Sequence, residues 1–115
     1  MELEEVVREG DTSPLLWGLT KKNGRIFVPV NFTNDSITAI TLYRTAEDGT
    51  EDSFATGGGK LTIEDNMNGV VQLVPGASDF LASKKYYKCY FKDNNGATYP
   101  KGSRFVVRVI GKNEE

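Results

Sequence analysis

The chain has 115 residues, of which 26% are charged, and a formal net charge of −2, which is the size and composition of one soluble globular domain. Histidine is absent and Cys89 is the only cysteine, so an internal disulfide, a cysteine-rich zinc module and a His-dependent nucleophile are excluded. No apolar run approaches the roughly 20 residues of a membrane-spanning helix, and the acidic first residues do not resemble an export signal. We therefore expect one domain over residues 1–115, with its core at about 6–111, and no enzymatic activity, cofactor, metal or membrane contact.

Short strands are predicted along the whole chain. Four Asn-Gly or Asp-Gly pairs, at Asn23, Asp48, Asn68 and Asn95, each separate two runs rich in β-branched or aromatic residues, which is typical of hairpin turns. The predicted strands are residues 5–8, 15–21, 25–30, 37–44, 61–65, 70–74, 84–92 and 105–110. One helical turn is predicted at residues 77–83, with Ser78 as its cap. Two packed antiparallel sheets are the simplest arrangement of such strands.

Side-chain alternation assigns faces to the predicted strands. In residues 84–92, Tyr87, Cys89 and Phe91 form the expected core face, and the opposite face carries Tyr86, Lys88, Tyr90 and Lys92. In residues 37–44, apolar side chains occur on both faces, which predicts a central strand covered on both sides. Pro29 cannot donate a ladder hydrogen bond, so its strand is predicted to lie at an edge.

The chemical motifs of common ligand sites are incomplete. The run Thr56-Gly57-Gly58-Gly59-Lys60 has Phe54 and Leu61 where a phosphate-binding loop needs glycine and serine or threonine. A calcium loop beginning at Glu64 would have Pro75 in place of its final bidentate glutamate. Glu51 and Asp52 lie beside a turn, and we interpret them as solubilising surface charges.

Charge is divided unevenly along the chain. Residues 1–82 carry 6 basic and 13 acidic side chains, whereas residues 83–112 carry 8 basic and 1 acidic. Tyrosines interleave with the basic residues, and aromatic rings are enriched at the centres of protein interfaces. The candidate interaction surface is Lys84, Tyr86, Lys88, Tyr90, Tyr99 and Arg104.

Several kinds of partner are compatible with this surface. Single-stranded nucleic acid binds basic, tyrosine-rich sheet faces, but the acidic remainder of the chain and a pI of about 5.2 would repel a polyanion. A protein partner is therefore favoured, either another protein or a second copy whose acidic N-terminal strand, with Glu2, Glu4, Glu5 and Glu9, complements the basic face. A carbohydrate remains the alternative ligand, with sugar rings stacked on Tyr86, Tyr90, Tyr99 or Trp17.

The order of motifs along the chain resembles a known family. Tyr87, two residues before Cys89, is a candidate structural tyrosine corner of the kind found in immunoglobulin folds. The other motifs, in order, are Gly10-Asp11-Thr12-Ser13-Pro14-Leu15, Asn23-Gly24, Val30-Asn31-Phe32-Thr33, Asn68-Gly69-Val70-Val71, Ser78-Asp79, Asn95-Gly96 and Thr98-Tyr99-Pro100. This order resembles the immunoglobulin-like N-terminal domain of phage baseplate upper proteins over residues 6–111. It departs from the family at Asn31-Phe32, which replaces Asp-Leu, and at Lys85, which replaces glycine.

The resemblance implies both a fold and a setting. The expected fold is an all-β, immunoglobulin-like antiparallel β-sandwich of seven or eight short strands. The expected function is that of a non-enzymatic virion structural protein, in the baseplate, a tail fibre or a head fibre. Such a protein folds and assembles in the host cytoplasm and contacts other virion proteins, further copies of itself, or both.

Overall fold

The computed structural model describes residues 4–101 and 104–111. Strands dominate this part of the chain, and its one helical segment is a 3₁₀ turn at Ala82–Lys84. The strands are β1 (Glu4–Arg8), β2 (Leu15–Gly18), β3 (Thr20–Asn23), β4 (Ile26–Pro29), β5 (Ile40–Ala46), β6 (Glu51–Ala55), β7 (Leu61–Asp65), β8 (Val70–Leu73), β9 (Tyr86–Asp93), β10 (Thr98–Tyr99) and β11 (Phe105–Ile110). The predicted all-β class is confirmed. No helix in these residues is long and apolar enough to cross a membrane.

Two sheets and a separate hairpin make up the fold. The large sheet has the strand order β1-β11-β9-β5-β6, with β10 paired to β9, and the small sheet has the order β2-β8-β7. All strand pairs are antiparallel except β1 and β11, which are parallel. Buried side chains of both sheets, such as Val71 from the small sheet and Leu42 and Val107 from the large one, belong to one core cluster. The fold is therefore sandwich-like, as predicted.

The four Asn-Gly and Asp-Gly pairs all lie where antiparallel strands turn. They join β3 to β4, β5 to β6, β7 to β8 and β9 to β10. Gly69 is needed for two reasons, because its φ is +67° and a Cβ atom there would lie 2.7 Å from the carbonyl oxygen of Val30. A side chain at this position would strain the backbone and also collide with a neighbouring segment.

The strand predicted at residues 15–21 is interrupted at Leu19. The backbone N–H of Leu19 donates to the carbonyl of Gly69, and its own carbonyl accepts from Val30. These bonds draw the buried Leu19 side chain into the core, so β2 pairs with β8 while β3 pairs with β4. Within the described residues β4 has β3 as its only strand partner, as predicted from Pro29.

Two strands were missed, and together with this division they raise the number in the described residues to eleven instead of seven or eight. Strand β6 is an edge strand that pairs with β5 alone, and its sequence, Glu51-Asp52-Ser53-Phe54-Ala55, lacks the apolar alternation of a core strand. Strand β10 has only two residues. Both strands are held by pairing with a longer neighbour, so their own composition gives little signal.

The helical turn predicted at residues 77–83 is wrong in extent and in its cap. Only Ala82–Lys84 is helical, with no side-chain cap. At the start of this segment Asp79 binds backbone through Oδ2, which accepts the N–H of Gly76 at 2.6 Å. This local carboxylate turn competes with helix formation, as aspartate commonly does.

Face assignment from alternation is confirmed for β9 and corrected for β5. In β9 the residues Tyr87, Cys89 and Phe91 are buried and alternate with more exposed ones. In β5 only one face is buried, so the expectation of cover on both sides is wrong. Of the apolar residues predicted on the second face, Ile37 is buried in the loop before the strand begins, whereas Tyr43 lies within β5 and is only partly buried.

Arg44 is a charged residue on the buried face of β5, with only 6% of its surface exposed. Its Nε and Nη2 donate to the two carboxylate oxygens of Asp52, and its Nη1 donates to the carbonyl of Asp79. The guanidinium lies 4.2 Å from the ring centroid of Tyr87 and 4.8 Å from that of Phe54. Asp52 is therefore a structural partner of a buried cation, and its interpretation as a solubilising charge is wrong.

Tyr87, the candidate tyrosine corner, packs through its ring. The ring is buried, and it meets Phe80 edge-on at 5.6 Å as well as the Arg44 guanidinium. Within residues 4–101 and 104–111 its hydroxyl makes no hydrogen bond to the backbone. The contribution that the structure gives Tyr87 is thus aromatic packing around Arg44.

Asp79 is expected to make stability depend on pH. Partial burial alone would raise its pKa, but the hydrogen bonds from Lys60 and Gly76 and the charges of Lys60 and Arg44 outweigh it and lower the pKa. A lowered folded pKa gives stability that is present above about pH 4 and is lost as the pH falls through the folded pKa.

We expect Asp79→Asn to lower the free energy of unfolding at pH 7 and to flatten its decline between pH 5 and pH 2.5, as measured by urea denaturation. Glu51→Gln is the control, because the exposed side chain of Glu51 makes no hydrogen bond with any other described residue. If the free energy of unfolding of Asp79→Asn fell between pH 5 and pH 2.5 as steeply as that of the unmodified protein, this role would be contradicted.

Candidate functional site

The outward face of the large sheet is the candidate site. We call it the tyrosine–lysine face and define it by Tyr43 of β5, by Tyr86, Lys88, Tyr90 and Lys92 of β9, and by Arg104 and Arg108 beside or within β11. The strand register places Tyr90 opposite Tyr43, Lys92 opposite Thr41 and Lys88 opposite Thr45. On the other side, Arg108 lies opposite Tyr86. Alternate residues of three adjacent strands therefore contribute to one continuous surface.

Three planar groups pack side by side near the middle of this face. The rings of Tyr43 and Tyr90 are stacked, with centroids 5.1 Å apart and an interplanar angle of 16°. The guanidinium of Arg104 lies 3.9 Å from the centroid of the Tyr90 ring. Each contact restricts a side chain that would otherwise rotate, so the row is already ordered before any partner binds.

The face carries more positive than negative charge. Lys88 and Lys92 are exposed and make no ion pair with any other described residue. Glu51, on the edge strand β6, lies opposite Thr45, which in turn lies opposite Lys88. Glu51 is the acidic residue in this row across the three strands. Next to Arg108 across the parallel pair lies Val6, which is 47% exposed and extends the face with an apolar patch. The surface is suited to an acidic partner that also offers apolar or aromatic groups.

Four of the six predicted surface residues come together on this face: Tyr86, Lys88, Tyr90 and Arg104. Lys84 lies in the 3₁₀ turn before β9, where its Nζ donates to Asp48 at 2.6 Å. This bond raises the pKa of Lys84 and lowers that of Asp48. Lys84 is thus already paired within the chain.

Tyr99 lies on the opposite side of the sheet from the tyrosine–lysine face. Strand β10 places it opposite Phe91, and its ring packs against the core. Its hydroxyl donates to the buried carboxylate of Asp93 at 2.7 Å. Its inclusion in one surface with Tyr86 and Tyr90 is therefore wrong, because the sequence does not show on which side of β9 the short strand β10 presents its rings.

The acidic N-terminal strand is part of the same sheet as the basic residues. Strand β1 pairs with β11, and the Glu9 that follows it accepts the N–H of Ala82 through Oε1. Glu2 lies outside the described residues. Glu9 is therefore engaged within the chain and does not present a free carboxylate to a neighbouring copy.

Tyr43 is one of three residues of this face, with Lys92 and Arg108, that the predicted interaction surface lacks. Its strand was predicted, but its position opposite Tyr90 depends on the register between β5 and β9, which are more than 40 residues apart. Trp17, named as a sugar-stacking candidate, is partly buried and packs against Phe91 and Phe105 on the core side of the large sheet. The four rings considered for sugar stacking therefore lie at two separate places.

Metal and thiol chemistry have no visible site in the described residues. Within them no group of three or more His, Cys, Asp or Glu side chains is close enough to hold a metal ion. Cys89 is buried, and desolvation raises the pKa of its thiol to about 12.

Comparisons of the chain with models of known protein families and with curated proteins find no match.

Proposed function

We propose that this chain is a non-enzymatic structural protein of a phage particle, and that it binds an acidic protein of that particle through the tyrosine–lysine face. The observation that carries the proposal is the ordered row of Arg104, Tyr90 and Tyr43, flanked by the two exposed lysines Lys88 and Lys92. Arginine and tyrosine are the residues that most often dominate binding energy at protein interfaces.

Charge selects the kind of partner. Lysines at the edge of an interface steer association and discriminate against like-charged partners more than they add affinity. Two copies meeting face to face about a two-fold axis would bring Lys88 and Lys92 of both copies close together. An acidic surface on another protein, or on a different side of a second copy, avoids this repulsion and is the favoured partner.

The phage setting is supported by the motif order of residues 6–111, which resembles the N-terminal domain of phage baseplate upper proteins. The observed sandwich-like arrangement and hairpin order are compatible with it. We place the protein in the assembled virion on this basis, after folding in the host cytoplasm.

Sugar binding has less support on this face. Arg104 and Tyr43 both pack against Tyr90, so little of that ring is left for a pyranose to cover. Tyr86 offers a further ring on this face. Trp17 and Tyr99 pack against the core instead, so they do not form a row of rings with Tyr86.

Site-specific photo-crosslinking in the assembled particle tests the proposal. p-Benzoylphenylalanine is placed at Lys88, on the tyrosine–lysine face, or at Leu16, which is 60% exposed on the small sheet. Irradiation is expected to link the Lys88 variant to another virion polypeptide and to leave the Leu16 variant unlinked. Crosslinks from Leu16 alone, or absence of the chain from purified particles, would overturn the proposal.

A further inference from the structure

A small aromatic cleft opens at the end of the sandwich, on the side of β9 away from the tyrosine–lysine face. It has a volume of about 150 Å³. The residues that define it are Glu5, Trp17, Phe91, Tyr99, Pro100 and Phe105. Strands from both sheets contribute, so the cleft marks a place where the two sheets are not closed over the core.

The walls of the cleft are aromatic rings set at different angles. Trp17 meets Phe91 at 5.5 Å with an interplanar angle of 63°, and it meets Phe105 at 5.7 Å with an angle of 50°. Phe91 and Phe105 are buried and form the floor, whereas Trp17 and Tyr99 are only partly buried and remain accessible. A cation that lies over the face of any of these rings is attracted by the ring quadrupole, so aromatic walls favour cations over anions.

Negative charge reinforces this preference. Glu5 is the one charged residue among the described residues that line the cleft, and its side chain makes no hydrogen bond or ion pair with any other described residue. The hydroxyl of Tyr99 donates to Asp93, which also accepts the N–H groups of Asn95 and Ala97. A phenol that donates to a carboxylate has a more electron-rich ring, which strengthens its attraction for cations.

We propose that this cleft binds a quaternary ammonium group of a small molecule. Aromatic walls with a nearby carboxylate attract a cation and repel an anion. A primary ammonium carries three N–H donors that need acceptors, and these apolar walls supply few, whereas a methylated ammonium needs none. Three lysines line the wider groove next to the cleft: Lys21 is paired with Asp35 at 3.0 Å, and Lys22 and Lys101 are exposed to solvent, which screens their charge. The site is separate from the tyrosine–lysine face, so this inference does not depend on the proposed function.

Trp17 gives a direct test because it is the only tryptophan of the chain and lies in the cleft. The fluorescence of Trp17 is titrated with choline chloride, with the neutral isostere 3,3-dimethylbutan-1-ol and with Nα-acetyl-lysine amide, whose side chain is a primary ammonium. All titrations are made at constant ionic strength. We expect a saturable change with choline and binding about tenfold or more weaker for the two other probes. Equal binding of the neutral isostere, stronger binding of the lysine probe, or no saturable change would overturn the proposal.

A pair of matched variants tests the role of the carboxylate. Glu5→Gln keeps the shape of the cleft and is expected to weaken choline binding by about threefold to tenfold, with no effect on the neutral isostere. Glu51→Gln removes the same charge from the distant edge strand β6 and is expected to bind choline as the unmodified protein does. Urea denaturation confirms that both variants are folded. An unchanged choline affinity in Glu5→Gln would show that no charge attraction operates in the cleft.

Discussion

Arg44→Ala is expected to lower the free energy of unfolding by about 2–4 kcal/mol. The substitution removes the bidentate bond to Asp52 and the bond to the Asp79 carbonyl. It also leaves a cavity among the rings of Phe54, Phe80 and Tyr87, which now surround the guanidinium. Cavities of this kind are costly because the surrounding side chains relax only partly.

Two further variants separate charge from packing at this position. Arg44→Met retains most of the volume and is expected to cost about 1 kcal/mol, because replacing a buried ion pair by an apolar side chain of similar size is often close to neutral. Asp52→Asn is expected to cost about 1 kcal/mol or less, since the Asp52 side chain is about half exposed. Urea denaturation at pH 7 measures all three. If Arg44→Met were as unstable as Arg44→Ala, the hydrogen bonds of the guanidinium would matter more than its packing.

The double charge reversal Lys88→Glu with Lys92→Glu is expected to weaken partner binding by about tenfold or more at low salt. Both side chains are exposed and make no ion pair in the described residues, so the fold tolerates the change. The unmodified protein is expected to lose affinity as ionic strength rises from 0.1 M to 1 M, where the screening length falls from about 10 Å to about 3 Å. The measurement is incorporation of each variant into particles in competition with the unmodified chain.

A second double reversal, Lys22→Glu with Arg25→Glu, controls for net charge. These residues are exposed on and beside the β3–β4 hairpin, away from the tyrosine–lysine face. The control changes the net charge by the same amount and is expected to be incorporated like the unmodified protein. Equal defects in the two double variants would point to a general charge effect and against a docking face.

Local signals in the sequence were sufficient for much of the fold. The turns at Gly24, Gly49, Gly69 and Gly96 depend on a positive φ, which two or three neighbouring residues determine. Alternation along β9 gave its buried face correctly, because a strand paired on both sides and covered on one has a strict period of two. Such features depend on residues that are close together in the sequence, and they can therefore be predicted from it.

Features that depend on strand register could not be predicted from the sequence. The stacking of Tyr43 on Tyr90 and the position of Tyr99 opposite Phe91 follow from which residues face each other across two strands. The burial of Arg44 likewise depends on Asp52, which lies on an edge strand that has no apolar pattern of its own. Four of the seven residues that define the tyrosine–lysine face were thus predicted from composition and alternation, and the rest required the arrangement of the sheet.

The central claim is that the tyrosine–lysine face is a docking surface inside a phage particle. Under the proposal the chain is encoded by a phage, and electron cryo-microscopy of purified particles of that phage tests the claim most directly. We expect density for this sandwich in the tail, baseplate or head fibres, with Tyr43, Tyr90 and Lys88 covered by acidic and apolar residues of a neighbouring polypeptide. Particles that lack the chain, or that contain it with this face open to solvent, would contradict the claim.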